Sequence, residues 1–144
     1  MVTSIAISRK IMLAYAEACK PLCRELDLPQ TAFDILMFLG NNPECKTAAE
    51  IVEVRHIKAN LVSVNVERLV ADGYIERRAV NGDRRKNQLI CTEKSAEILK
   101  RGQALQAEFT ERLFANMCED IRRGFLSATE IIENNLDELL REEK

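Results

Sequence analysis

Residues 74–91 constrain the fold most, because they predict a β-hairpin within a chain whose other segments favour helices. The segment 74–80 contains Tyr, Ile and Val in loose alternation, which is typical of a strand. Asn81 and Gly82 follow, and both residue types tolerate the positive φ angles of a tight hairpin turn. Residues 87–91 predict the returning strand. The chain therefore holds a small two-stranded element among helices.

Three consecutive cations occupy the predicted tip of this hairpin: Arg84, Arg85 and Lys86. The chain has 144 residues and a formal net charge of −2, so this basic cluster is a local feature. Residues 55–86 carry eight bases and four acids, whereas residues 1–54 and 87–144 have net charges of −2 and −4. A basic block in an acidic protein indicates one face that binds a polyanion, and an unevenly charged solvated surface is the alternative.

The remaining segments predict helices, because apolar residues recur at helical spacing and glycine (5) and proline (3) are scarce. The predicted helices span residues 5–27, 30–41, 47–54, 58–72, 92–117 and 119–141. Thr47 is a suitable N-cap, and Glu50 three residues later completes a capping-box pattern. Gly73 follows the fourth helix as a C-terminal cap. The predicted fold class is therefore mainly α with a small two- or three-stranded β wing.

The helix predicted at 58–72 has two distinct faces. One face is apolar and would anchor the helix to a core through Val62, Val66 and Leu69. The opposite face is short and polar apart from one valine, and Leu61 and Ser63 lie at the borders between the faces. The outer residues are Asn60, Val64, Glu67 and Arg68.

The order of elements from residue 47 to residue 91 is that of a winged helix-turn-helix: short helix, turn, helix, hairpin. In that arrangement the second helix lies in the major groove of DNA, and the hairpin reaches along the backbone. Asn60 and Ser63 are predicted to contact base edges or phosphates, with assistance from Asn65. Lys58 and Arg68 are predicted to contact phosphates.

The hairpin tip completes the predicted DNA-binding residues. Arg84 or Arg85 suits insertion into a narrow minor groove, where negative potential is concentrated, and Lys86 adds a phosphate contact. Asp83 would be repelled by DNA on its own. It is therefore predicted to pair with a neighbouring arginine and to fix the direction of that guanidinium group.

Three stretches of this sequence resemble the MarR family of bacterial winged helix-turn-helix transcription regulators. They are LPQTAFDILMFL (28–39), TAAEIVEVRHIKANLVSVNVERLVADGYIERR (47–78) and GDRRKNQLICTEKS (82–95). The last stretch contains the wing signature of the family, an Asp and an Arg two residues apart, here Asp83 and Arg85. The chain departs from the family pattern at Val64, where many members carry a basic or polar residue. It also departs at Cys91 and Ser95, where Leu and Gly are usual.

The resemblance implies one MarR-like domain over residues 1–144. Within it, residues 28–91 would form the DNA-binding lobe, and residues 1–27 and 92–144 the helical dimerisation region. A two-fold homodimer would present two recognition helices to a pseudo-palindromic operator, about one helical turn apart. The resemblance also implies a repressor that a small-molecule effector releases, through a coupling free energy of about 1–3 kcal/mol.

Effectors of this family often bind between the dimerisation helices and the DNA-binding lobe. Four residues are candidates for lining such a pocket, and core packing is the alternative for each of them: Tyr15, Phe33, Met37 and Phe109. The two explanations are compatible, because a pocket is an incompletely filled core.

The five cysteines include no CxxC motif, which favours free thiols over disulfides in a cytosolic chain. Cys19 and Cys23 are four residues apart on the first predicted helix and share a face. Some members of the family sense peroxide through a thiol on that helix, so Cys19 and Cys23 are candidate redox residues. Small apolar residues in a dimer core are the alternative.

Other classes of protein are not indicated. No phosphate-binding glycine loop, nucleophile elbow or histidine dyad is present, so no enzymatic activity is expected. His56 is the single histidine and lacks partners at metal-ligand spacing, so neither a metal nor a cofactor is expected. The N-terminus is not typical of a signal peptide, and no apolar run approaches the ~18 residues of a membrane helix. A cytoplasmic protein without membrane contact is expected.

Two alternative functions stay open. The first is a winged-helix module that binds a protein partner without specific DNA readout, which the acidic flanks and Val64 favour. The second is a thiol switch, in which DNA binding persists until Cys19 or Cys23 is oxidised. Binding through Z phosphates should weaken with salt at a log–log slope of about −0.9Z, which distinguishes DNA binding from the first alternative.

Overall fold

In the described part of the chain four helices precede a β-hairpin and two helices follow it, as the sequence predicts. The computed structural model describes residues 4–80 and 83–143, and at residues 80 and 83–86 it describes the backbone. The elements are α1 (Ser4–Leu26), α2 (Gln30–Asn41), α3 (Ala48–Arg55), α4 (Ala59–Ala71), β1 (Ile75–Val80), β2 (Asp83–Cys91), a 3₁₀ turn (Glu93–Ser95), α5 (Ala96–Leu113) and α6 (Glu119–Glu142). The chain divides into two units, Met1–Phe109 and Thr110–Lys144. The predicted fold class is confirmed.

Helix α2 is the centre of the first unit, because seven of its twelve residues are buried. Phe33, Ile35 and Leu36 are fully inaccessible to solvent. Helices α1 and α4 and strand β2 pack against α2. They contribute most of the remaining core residues, which are Cys19, Leu22, Cys23, Leu28, Ile51, Val62, Val66, Leu69, Ile75, Leu89 and Ile98. Complete burial of one large apolar side chain contributes about 1.5–3 kcal/mol, so α2 is the main source of stability in this unit.

Local hydrogen bonds set the start of α3. The Thr47 hydroxyl accepts a hydrogen bond from the Glu50 backbone N–H at 3.1 Å, as the predicted N-cap requires. The Glu50 carboxylate in turn accepts a hydrogen bond from the Lys46 N–H at 2.8 Å. This bond falls one residue before the position that the capping-box pattern predicts. His56 then takes a left-handed conformation with φ at 52°, which ends α3.

The end of α4 has the geometry of a Schellman motif. Gly73 has φ at 81°, a conformation that glycine adopts without steric conflict. Its N–H donates to the Val70 carbonyl at 3.0 Å, and the Tyr74 N–H donates to the Leu69 carbonyl at 2.9 Å. These two bonds satisfy carbonyls that the helix would otherwise leave without partners. The predicted termination of this helix at Gly73 is confirmed.

Strands β1 and β2 pair in antiparallel fashion, with Ile75 opposite Cys91 and Ala79 opposite Asn87. The register then shifts, since Val80 pairs with Asp83, so residues 84–86 form a bulge in β2. The predicted strand 87–91 was therefore too short. Its apolar pattern marks the part of β2 that packs on the core, whereas one further pair, Val80 with Asp83, lies beyond residues 84–86. The predicted Asn81–Gly82 turn lies outside the described residues.

The helix predicted at 92–117 was wrong at both ends. The Thr92 hydroxyl donates to the Gly73 and Tyr74 carbonyls at 2.6 and 3.2 Å, which holds Thr92 in an extended conformation. A 3₁₀ turn therefore precedes α5. At the other end α5 stops at Leu113, and Asn116 has a left-handed φ of 67° before α6 begins.

Helix α5 packs closely against α2 at Gly102. A Cβ atom at this position would overlap Met37 Sδ and would lie 3.2 Å from Phe33 Cζ. On the exposed side of α5, Arg101 forms a bidentate pair with Glu25 of α1 at 2.9 and 2.6 Å. These hydrogen bonds and the charge of Arg101 lower the pKa of the Glu25 carboxyl group. Helix α5 is thus fixed to both α1 and α2.

The second unit has an amphipathic helix whose apolar face is exposed. The rings of Phe114 and Phe125 meet edge to face with centroids 5.3 Å apart, and the Arg122 guanidinium lies 5.0 Å from the Phe114 centroid. No described residue of α6 is buried. The exposed apolar residues of this helix, called here the α6 stripe, are Ile121, Phe125, Leu126, Ile131, Ile132, Leu136, Leu139 and Leu140.

Replacing Gly102 with Ala is expected to destabilise the protein, because the added methyl group enters space that Met37 and Phe33 fill. The expected decrease in the free energy of unfolding is about 1–3 kcal/mol, the range typical of overpacked cores. Gly124→Ala is the control, since nothing lies within 4 Å of its added Cβ. Alanine should stabilise α6 there by up to about 1 kcal/mol. Urea titration of both variants measures these changes, and equal stabilities would contradict the tight α2–α5 contact.

Candidate nucleic-acid interface

Helix α4 presents the two faces that its sequence predicts. Val62, Val66 and Leu69 are at most 2% exposed and pack into the core. Asn60, Val64, Glu67 and Arg68 are exposed on the outer face. Ser63 and Leu61, predicted at the borders, are also exposed. The core packing of one face therefore fixes which side chains the other face offers to a ligand.

The start of α4 combines several groups suited to DNA. Lys58, Asn60 and Ser63 are exposed there. Lys58 is the N-cap residue, and no side chain caps the first N–H groups of the helix. A helix start without a side-chain cap offers N–H donors and the positive end of the helix dipole to an anion such as phosphate. Asn60 and Ser63 add donors and acceptors that can meet base edges.

The second half of the outer face is tied to neighbouring elements. Glu67 accepts a hydrogen bond from Arg77 of β1 at 2.5 Å. Arg68 donates to the backbone carbonyl of Asp27, in the turn between α1 and α2, at 2.6 Å. Its guanidinium also lies 3.6 Å from the carboxylates of Asp27 and Asp72. Exposed ion pairs contribute only about 0–1 kcal/mol each, so the main effect of these contacts is to orient α4.

Arg77 is a contributor that the sequence analysis missed. Its position two residues after Ile75 on β1 was the available signal, because alternate strand residues share a face. Ile75 is buried, so Arg77 lies on the face of the hairpin that is directed to the protein. The Arg77–Glu67 pair thereby links the wing to the recognition helix.

Asn65 lies on the inner side of α4. It is 8% exposed, and its Nδ2 donates to the Leu61 carbonyl at 2.8 Å. The helical spacing places Asn65 three residues after Val62 and four before Leu69, both of which are buried. That spacing was the signal for an inner position, and the polar character of asparagine concealed it.

A groove of about 750 Å³ lies between the hairpin and helices α3 and α4. Its lining includes Ser63 of α4, Arg77 of β1 and Asn87 of β2. The predicted wing residues 83–86 directly precede Asn87 on strand β2. The structure describes only the backbone of residues 83–86. The predicted contacts therefore stay predictions for Asp83, Arg84, Arg85 and Lys86. The backbone thus brings the cationic segment and the recognition helix into one lobe.

The candidate redox residues Cys19 and Cys23 are buried core residues, 0% and 8% exposed. Cys23 Sγ lies 3.9 Å from Oε1 of Gln30. Burial raises the pKa of the Cys23 thiol to about 11, and burial is also the main cause of the raised pKa of Cys19. The thiolate is the form that reacts with peroxide, so these surroundings oppose a redox role at neutral pH.

The four candidate effector-lining residues form two pairs. Phe33 and Met37 are 0% and 1% exposed and flank Gly102 of α5. Tyr15 of α1 and Phe109 of α5 are half-buried, with their rings edge to face at 5.3 Å. The Tyr15 oxygen accepts a hydrogen bond from Gln106 at 2.9 Å, and burial is the main cause of its pKa of about 12. Tyr15 is therefore a neutral polar group beside an aromatic ring.

Neither a metal site nor a membrane-spanning helix was expected from the sequence. Within residues 4–80 and 83–143, no group of three or more His, Cys, Asp or Glu side chains is placed to hold a metal ion. His56 is exposed in the turn between α3 and α4. None of the helices in the described part of the chain combines the length and apolar character that crossing a membrane requires.

Comparison with known proteins supplies both a sequence match and a fold match. Residues 26–86 match the sequence model of the MarR family. No curated protein matches the whole sequence significantly. A regulator from Listeria monocytogenes assigned to the MarR family, complexed with 26-mer DNA, has a TM-score of 0.86 and 16% identity, over 96% of this chain and 91% of that one.

Two further solved structures have the same fold. A MarR protein from Peptoclostridium difficile has a TM-score of 0.81 and 19% identity, over 100% of this chain and 97% of its own. Wild-type MarR from E. coli in its apo form has a TM-score of 0.71 and 17% identity, over 92% and 98%. At these identities the likeness establishes the winged helix-turn-helix fold.

The matched segment and the geometry of the lobe coincide. Residues 26–86 run from the end of α1 through α2, α3, α4 and β1 into β2. They therefore include the helix-turn-helix and the Asp83–Arg85 wing signature. The sequence match and the fold agree: residues 26–86 match the MarR family model, and the chain has the winged helix-turn-helix fold of the solved MarR structures.

Proposed function

We propose that this protein is a sequence-specific DNA-binding regulator, a homodimeric repressor that occupies a pseudo-palindromic operator. The observation that carries the proposal is the exposed start of α4 in the same lobe as the cationic segment of β2. Asn60 and Ser63 supply groups for base edges, and Lys58 with the backbone N–H groups supplies phosphate contacts. The similar L. monocytogenes protein is complexed with DNA, which supports the same class of ligand here.

The wing is proposed to supply the electrostatic part of binding. Arg84 or Arg85 enters the minor groove, Lys86 contacts phosphate, and Asp83 directs an arginine. Arg68 is proposed as a further phosphate contact, which requires it to exchange its bonds with Asp27 and Asp72 for bonds to the DNA backbone. Asn65 is left out of the base-contacting residues, because its amide is buried and bonded within α4.

The homodimer is proposed because the chain exposes apolar surface on two helices. The α6 stripe carries eight exposed apolar residues on one helix. Ile5, Ile7, Met12 and Leu13 of α1 are also exposed. Exposed apolar surface on a helix is unfavourable in water and, when it is extensive, marks a surface that associates. A second copy of the chain, which brings the same two helices, is the proposed occupant, in keeping with a two-fold operator.

Release by a small-molecule effector is proposed at the Tyr15–Phe109 pair. This pair is half-buried, so a ligand can reach it, whereas Phe33 and Met37 are buried in the core. An aromatic ring and a neutral phenol suit a small apolar ligand with one polar group. Such a ligand would alter DNA affinity only if it bound two arrangements of the protein with different affinities.

Arg85→Ala is expected to weaken DNA binding and to leave the melting temperature nearly unchanged, because the proposed role of Arg85 is an electrostatic contact with DNA rather than core packing. The log–log salt slope should decrease by about 1 for each protomer. Fluorescence anisotropy at several salt concentrations measures both quantities, on a duplex selected from a random library. Arg9→Ala, on the exposed surface of α1, is the control and should retain the slope. Selection of no duplex at all would instead support a protein-binding module.

Leu136→Asp is expected to convert the dimer to monomers, because it places a charge within the α6 stripe. Asn134→Asp adds the same charge two residues away, which is the opposite side of a helix, and should leave the dimer intact. Light scattering coupled to gel filtration gives the mass of each variant. A dimer that persists in Leu136→Asp at micromolar concentration would show that α6 lies outside the dimer interface.

Cys19 and Cys23 are expected to resist alkylation at neutral pH, because burial raises both thiol pKa values, that of Cys23 to about 11. Their labelling rate should increase as the pH rises toward 11, whereas the exposed Cys118 should label first. Mass spectrometry of the alkylated protein identifies the order. The redox alternative would be restored by one result: peroxide abolishes DNA binding of the wild type but not that of Cys19→Ser or Cys23→Ser.

A further inference from the structure

The outer face of α4 carries an exposed apolar residue at its centre. Val64 is 67% exposed, and Leu61, one turn before it, is 46% exposed. The core contacts of this helix are already made by Val62, Val66 and Leu69. Val64 is therefore not needed for core packing. Isolated exposed apolar residues are common on protein surfaces, so exposure by itself assigns Val64 no role, and its position on α4 is what distinguishes it.

Val64 lies between the polar groups proposed to face DNA. Asn60 is one turn before it and Arg68 one turn after it on the same face. Glu67 is engaged by Arg77, and Arg68, engaged by Asp27, is proposed to exchange that bond for a phosphate. The side chains left to contact base edges therefore lie in the first two turns of α4. The first residues of a recognition helix are those that reach base edges. Val64 belongs to that group by position and by exposure.

The chemistry of the major groove offers one apolar group to such a residue. Thymine carries a C5 methyl group there, and apolar side chains contact it, whereas the other groove groups of the base pairs are polar donors and acceptors. Valine is also suited by its stiffness, since a β-branched side chain in a helix has one strongly preferred rotamer. Its two methyl groups are thus already oriented before DNA binds.

We propose that Val64 is a specificity-determining residue that selects thymine by contact with the C5 methyl group. This inference rests on the proposed DNA-binding function and adds the base that one position of each half-site requires. A polar side chain there would favour a donor or acceptor edge, and valine favours a methyl group.

The test replaces thymine with deoxyuridine, which removes only the methyl group and keeps all base-pairing groups. The full-length protein first selects its operator from a random duplex library, and each thymine of the two half-sites is then replaced symmetrically. At the contacted position the wild-type affinity should fall about 15-fold, which corresponds to about fourfold for each lost methyl contact. Val64→Ala should bind the thymine and deoxyuridine duplexes with nearly equal affinity, because it lacks the methyl groups that make the contact.

Val54→Ala is the matched control, since Val54 is a valine of similar exposure, 53%, on α3. It should keep the full sensitivity to deoxyuridine. Two results would overturn the inference while leaving the proposed function intact: no thymine position responds in the wild type, or Val64→Ala keeps the response. Loss of the response in Leu61→Ala but not in Val64→Ala would also overturn it. Failure to select any duplex would instead overturn the proposed function and the inference with it.

Discussion

Burial of α2 is the constraint on which the rest of the first unit depends. With seven of twelve residues buried, this helix leaves little of its surface for solvent. Helices α1 and α4 and strand β2 each cover part of it, and Gly102 lets α5 approach Phe33 and Met37. Because α4 must direct Val62, Val66 and Leu69 inward to cover α2, its helical period decides which residues are directed outward. The composition of the outer face of α4, which is proposed to contact DNA, is therefore a consequence of core packing.

The orientation of α4 depends on weaker contacts at its second half. The Glu67–Arg77 pair joins it to the hairpin, and Arg68 joins it to the turn between α1 and α2 through Asp27. Each contact is exposed, so it adds little stability. Together the two contacts orient α4 relative to the hairpin and to the turn after α1. A displacement of the α1–α2 turn would alter the surroundings of Arg68. That turn is thus a physical route by which events at α1 could bias DNA affinity, provided that the lobe has two discrete arrangements.

Much of the fold was predictable from sequence because the relevant interactions are local. The bounds of α2 (Gln30–Asn41), the Thr47 cap and the Gly73 stop depend on residues within a few positions of one another. The errors have non-local causes. Thr92 is held by carbonyls of Gly73 and Tyr74, 19 and 18 residues earlier, so no local pattern shows that α5 must begin later. Arg68 bonds to Asp27, 41 residues away, and its position on the outer face gave no hint of that partner. Asn65 differs, because helical spacing did place it inside and only its polarity argued otherwise.

The net charge of the chain bears on how such a lobe can be selective. Outside residues 55–86 the protein is acidic, so its long-range field opposes a polyanion rather than attracting it. Non-specific binding, which is almost entirely electrostatic, is weakened by that field, and the basic wing offsets it only within about one Debye length. The share of affinity that comes from contacts to base edges then rises, and these contacts are the ones that discriminate among sequences. The proposed readout by two polar residues and one apolar residue of α4 therefore relies on the proposed second copy of the chain, which doubles the number of contacts.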